Sequence, residues 1–179
     1  MKRPLALMLA IVLALSLAAC YRGGPDNTSN ISYSSAAVGD TIQFGQYDWF
    51  VLCVQGDKAL ILSDRVLAGR RYHDKNKDVT WAESDMRQYL NGQFYNNTFS
   101  KAEKALIAET ENINESNQWY GTAGGVDTLD KVFLLSLEDV VKYFGDSGQL
   151  ADRPLFVDSD DVPINVVRID DEYNSARVA

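Results

Sequence analysis

The segment Trp49-Phe50-Val51-Leu52-Cys53-Val54 is apolar at every position, and after Gln55-Gly56-Asp57-Lys58 the run Ala59-Leu60-Ile61-Leu62 is apolar again. Short runs rich in aromatic and β-branched residues form strands, and a Gly-Asp pair between two of them signals a tight hairpin turn. Side chains of a strand point alternately to opposite faces, so a run without polar alternation must be covered on both sides. The hairpin is therefore expected at the centre of its sheet. Ile42 and Phe44 carry the strand pattern upstream, which starts the folded body near Val38. Cys53 falls in phase with Trp49 and Val51 and reads as a small buried apolar residue. No basic residue adjoins it to activate the thiol.

Three helix starts follow. Thr80-Trp81-Ala82-Glu83 and Ser100-Lys101-Ala102-Glu103 each place a hydroxyl three residues ahead of a carboxylate, the spacing of a capping box. The first helix is expected to run to Asn91-Gly92, with Trp81, Met86, Tyr89 and Leu90 near one face. Ser136-Leu137-Glu138-Asp139 opens the third, after an expected strand from Lys131 to Leu135, and Gly145 closes it. Strands and helices mixed without regular alternation give an α+β class: a small, mostly antiparallel sheet with three short helices.

The N-terminus carries an address. Lys2 and Arg3 precede an apolar run from Leu5 to Leu17 that closes on Leu17-Ala18-Ala19-Cys20, the pattern of an export signal. The run is shorter than the ~20 residues that a spanning helix needs. Leu17 to Cys20 also resembles the lipobox of bacterial lipoproteins, which implies diacylglycerol on the Cys20 thiol after removal of residues 1–19. The expected organisation is a lipoprotein signal peptide over 1–19, a lipidated cysteine and flexible tether over 20–37, and one α+β domain over 38–179. The tether, rich in Gly, Ser and Asn, would span roughly 23 Å as a coil. The expected location is the outer face of a bacterial cell membrane, held by fatty acyl chains.

Charge excludes one broad class. Asp and Glu number 25 against 17 Lys and Arg, a formal charge of -8, and a phosphate backbone would be repelled. Nucleic acid is not an expected partner. One histidine and two cysteines leave no zinc finger or disulfide scaffold.

Candidate chemistry is sparse. His73 with neighbouring carboxylates could serve acid–base catalysis, but no nucleophile is nominated, and its polar surroundings Arg70 to Asp78 read as an exposed loop. Asp74, Asn76 and Asp78 alternate as calcium ligands do, with Asp85 at the twelfth place. Yet Val79 replaces the turn glycine, and Asp85 replaces the bidentate glutamate. Calcium is the one cofactor this pattern admits. Asn117-Gln118-Trp119-Tyr120-Gly121 sets aromatic rings among amides, so Asn117, Trp119 and Tyr120 are the candidate ligand-binding residues. Trp119 packing into the core is the competing reading.

Four blocks, Trp49–Leu52, Lys58–Ser63, Val79–Asn91 and Asp130–Ser136, together with Phe99–Lys104, resemble in order the family called domain of unknown function 6273, found in bacterial exported and surface proteins. The resemblance extends from Gly39 to Ala179. It implies a fold distantly similar to C-type lectins and formylglycine-generating enzymes, although the oxidase chemistry of the latter uses a cysteine pair. Family members typically continue into Trp-Leu-Arg-Ser-Pro-Gly and Gly-Val-Arg-Pro elements, which implies missing C-terminal strands here. The leading expectation is a non-catalytic surface module that binds a glycan or a protein. The alternatives are a hydrolase-like domain using His73 and a shortened copy without function.

Overall fold

A computed structural model describes residues 6–7, 10–14, 36–117, 122–148 and 172–173, the first two segments by their backbone pairing. The main sheet is antiparallel throughout, in the order β2 (Ala10–Ala14), β5 (Lys58–Ser63), β4 (Tyr47–Gln55), β3 (Thr41–Phe44). β1 (Ala6–Leu7) pairs with β6 (Ala68–Gly69). The expected hairpin is β4–β5, and both of its strands are inner strands of this sheet. The stretch expected to be removed as an export signal contains β1 and β2.

Both faces of the hairpin are covered, as its composition requires. Trp49, Val51, Ala59 and Ile61 are fully buried against Met86, Leu90, Phe94 and Phe99. On the other face Leu52 and Leu62 meet Phe133, with Tyr143 and Phe144 packed beside them. Each fully buried aliphatic side chain contributes about 1.5–3 kcal/mol. The Trp49 indole satisfies its own N–H by donating to the Phe44 carbonyl at 2.8 Å, so the ring is buried without an unpaired donor.

Cys53 departs from its expected phase. Val51 pairs with Ile61 but Cys53 pairs with Leu60, so β4 holds one extra residue at Leu52. This bulge reverses the alternation beyond it and puts Cys53 on the face of Leu60, half-buried rather than buried.

The first helix starts later than Thr80. Trp81–Glu83 is a single 3₁₀ turn without a side-chain cap, whereas Ser84 accepts the Arg87 N–H at 3.0 Å and opens α1 (Asp85–Tyr89). Ser84 also donates to the Trp81 carbonyl, so one hydroxyl serves both sides of the junction. Gly92 does not stop the helix; a π-turn, Leu90–Phe94, carries it into α2 (Tyr95–Thr98).

The capping box expected at Ser100–Glu103 forms at the start of α3 (Lys101–Lys104), and the helix start expected at Ser136 is α4 (Leu137–Phe144), which carries a box of its own with Asp139 and ends at Gly145. The second sheet pairs β7 (Thr110–Asn112) with β8 (Thr128–Asp130). The strand expected over Lys131–Leu135 is absent. Asn91 Oδ1 accepts the Lys131 and Val132 N–H groups at 2.7 and 3.2 Å, and its amide donates to the Val132 carbonyl. A side chain from the π-turn thus takes the bonds that a partner strand would have taken. The class is α+β: a small antiparallel sheet, a two-stranded sheet and short helices.

Candidate functional site

Asp130 organises the region beyond β5. Its side chain is fully buried, and Oδ1 accepts from Arg87 Nε at 2.7 Å. Oδ2 accepts from Trp81 Nε1 at 2.8 Å, Asn112 Nδ2 at 3.0 Å and Thr128 Oγ1 at 2.7 Å. A buried carboxylate persists only when its lone pairs are filled this way. The hub ties β7, β8, α1 and the 3₁₀ turn together.

Trp81 and Asn112, both held by the hub, form part of the wall of a groove of about 810 Å³. Thr110 to Asn117 all line it, as do Phe133 to Asp139 on another side, while no residue of β8 does. Alternate residues of a strand point to opposite faces, so three consecutive lining residues of β7, Thr110–Asn112, mean that the strand meets the groove edge-on, and residues 113–117 continue that wall. The edge of β7 away from β8 is therefore the wall.

The tip of the β7–β8 connection is drawn together at the groove. The Asn117 N–H donates to the Thr122 carbonyl at 2.9 Å, and the Asn114 amide donates to the Val126 carbonyl at 2.6 Å. Gly124 packs so closely that a Cβ there would run into the carbonyl oxygens of Asn114 and Glu115. Only glycine permits that approach.

A second cavity, about 940 Å³, adjoins the first across Tyr72, Val79, Thr80, Thr122 and Ala123. Burial pushes the Tyr72 phenol above its ordinary value of 10.0, and a hydrogen bond with Ser84 only partly opposes this. His73 lies on this cavity, with Nδ1 2.8 Å from Asp85 Oδ2, a contact without hydrogen-bond geometry. The same oxygen accepts the Asp74 N–H at 2.8 Å. His73 Nε2 is buried and has no partner among the described residues. His73 is thus mostly buried rather than an exposed loop residue.

The candidate residues read from the sequence are only partly brought together. Asn117 stands on the groove. Trp119 and Tyr120 beside it, and Cys20, lie outside the described residues. Asp74, Asn76 and Asp78 line the second cavity as exposed residues of one loop. Among the described residues no three His, Cys, Asp or Glu side chains gather where they could hold a metal ion, and Asp85 accepts the Asp74 N–H.

Residues 56–175 match the family described as Domain of unknown function (DUF6273). The chain belongs to this family. Neither a curated protein nor a solved structure matches it. In the DUF6273 domain the block that carried the family resemblance, Val79–Asn91, supplies Trp81 and Arg87 to the Asp130 hub and Asn91 to the Lys131–Val132 backbone. These residues build the body and hold up the groove wall. The match begins at Gly56, so β3 and all of β4 precede it, a shorter extent than the expected start at Gly39. Sequence reasoning missed the Asp130 hub and the lining carboxylates. The one available signal was an acidic residue, Asp130, just ahead of the apolar run Val132–Leu135.

Proposed function

We propose that this protein is a lipid-anchored, extracytoplasmic binding module without catalysis, in which Cys20 carries the acyl chains, residues 21–37 form the tether and the groove beside Asn117 takes the ligand. The observation that carries the reading is the groove itself: an aromatic and polar concavity walled by a strand edge and held by a fully bonded buried hub. Binding sites combine an apolar surface with a few fixed polar groups in this way. Asn112 and Asn114 keep their Oδ1 atoms without a hydrogen bond among the described residues.

Two measurements test this reading. In a bacterial host, the wild-type protein is expected in the membrane fraction and labelled by palmitate, and Cys20→Ala unlabelled. Equal labelling of both, or of neither, overturns the anchor. On glycan and peptide arrays the full chain is expected to retain a ligand that Gly124→Ala, which forces the groove wall apart, loses.

The contact between His73 and Asp85 favours a second reading, a hydrolase-like domain with that pair as acid–base groups. A histidine beside a carboxylate is the pairing from which a general base is built, although here the contact lacks hydrogen-bond geometry. Nε2, the atom that would face a substrate, is buried, and no hydroxyl or thiol bonds to the ring among the described residues. A turnover that purified protein sustains and His73→Ala abolishes would replace the binding reading with this one.

A further inference from the structure

We infer that the groove along β7 accepts an extended cationic peptide, which adds to the open edge of β7 as a third strand and sets its basic side chains among the groove's carboxylates. The inference rests on the binding reading above and names the ligand class. Three independent features of the groove support it.

First, β7 is paired on one side only among the described residues, with β8. Its other edge borders the groove, which Thr110–Asn112 of the strand and residues 113–117 of the connection after it line. A free strand edge presents unpaired N–H and C=O groups at the spacing of another strand, and an extended peptide satisfies them along its length. A sugar has no such repeat.

Second, the lining is charged with one sign. Glu111, Glu115 and Glu138 line it as exposed carboxylates, Asp139 also lines it, and no Lys, Arg or His lines it among the described residues. A groove of one sign draws ligands of the other and repels its own. The chain as a whole is acidic, at -8. A basic segment is therefore the complementary occupant of this groove. The occupant is a basic partner.

Third, Trp81, Tyr72 and Phe133 line the same space. Lysine and arginine carry apolar stems behind their charges, and aromatic surfaces take both the stem and, through the ring quadrupole, the cation. The Trp81 ring is fixed for this by the bond of its N–H to Asp130.

The test uses the full chain and four probes: a labelled octapeptide alternating lysine with valine, the same peptide with every second backbone nitrogen methylated, its glutamate counterpart, and an uncharged oligosaccharide of N-acetylglucosamine. The lysine peptide is expected to bind, to weaken about tenfold on N-methylation, to weaken as salt rises, and to protect the amides of Thr110–Asn112 from exchange. Glu111→Lys with Glu115→Lys, both exposed positions, is expected to lower its affinity at least tenfold while circular dichroism is unchanged. Equal binding of the lysine and glutamate peptides, or indifference to N-methylation, overturns the inference. If the oligosaccharide binds in the groove and no peptide does, the inference falls and the binding reading stands. If none of the four binds, the peptide inference falls. If no ligand is retained on the arrays either, the binding reading falls with it.

Discussion

Arg87 Nε donates to Asp130 Oδ1 at 2.7 Å, and the Asp130 side chain exposes none of its surface. Breaking a buried pair from one side strands the other charge, which typically costs about 3–5 kcal/mol. Asp130→Asn also sets an amide among three donors, those of Trp81, Asn112 and Thr128. We expect a loss of that order in urea unfolding, with a shift in the Trp81 emission. A change under 1 kcal/mol would mean that the hub does not hold the β7–β8 sheet to α1.

Glu103 links α3 to the β3–β4 turn, because Oε1 accepts the Gly45 N–H at 3.0 Å and Oε2 the Ser100 N–H at 2.7 Å. Burial raises its carboxyl, but the bonds from Ser100 and Gly45 outweigh burial and hold it below the ordinary 4.5. A carboxyl depressed in the folded state contributes stability above its unfolded value, and that contribution is lost as pH falls through the folded value. The stability difference between wild type and Glu103→Gln is therefore expected to be full near neutrality and to shrink below pH 4.5. Urea midpoints measured across that range decide it.

Gly45 and Gly56 both have φ of +62°, yet they differ in surroundings. A Cβ on Gly45 would lie 2.8 Å from the Phe99 ring and 3.0 Å from the Thr98 carbonyl, whereas one on Gly56 meets nothing within 4 Å. Alanine at Gly56 carries only the left-handed backbone penalty, about 1 kcal/mol. Gly45→Ala is expected to cost at least 1 kcal/mol more than Gly56→Ala in thermal or urea unfolding. Equal losses would show that Phe99 yields freely.

Tyr72 gives a signature at alkaline pH. Its phenol is raised in the folded state by burial, so its contribution is complete below the unfolded value of 10.0 and disappears as pH rises through the folded one. Ultraviolet titration of the folded protein should show a phenol phase displaced above 10.0. Tyr72→Phe is expected to remove that late phase and to flatten part of the stability loss above pH 10.

What was legible in the chain was local. The box at Ser100–Glu103 and the cap at Ser136 close within one turn, so their spacing alone was sufficient, and the uninterrupted apolar pattern of Trp49–Val54 required covers on two sides. Thr80 misled because Ser84, four residues on, makes the cap bond. Leu52 and Cys53 are both apolar, so their order hides the bulge that turns Cys53 to the opposite face. The absent strand at Lys131–Leu135 is an effect of Asn91, some forty residues away in the chain. The site was the least legible part. Asn117 stood out by its neighbours, but the groove depends on Asp130 gathering Trp81 and Asn112 from 49 and 18 residues away, and no pattern of spacing encodes that meeting.

Ala10 to Ala14 lie opposite Leu62 to Lys58 along β5. Signal cleavage after Ala19, which the proposed maturation requires, would strip those partners away and leave a hydrophobic inner strand as a bare rim. Its amides would then exchange faster in the processed protein than in the precursor.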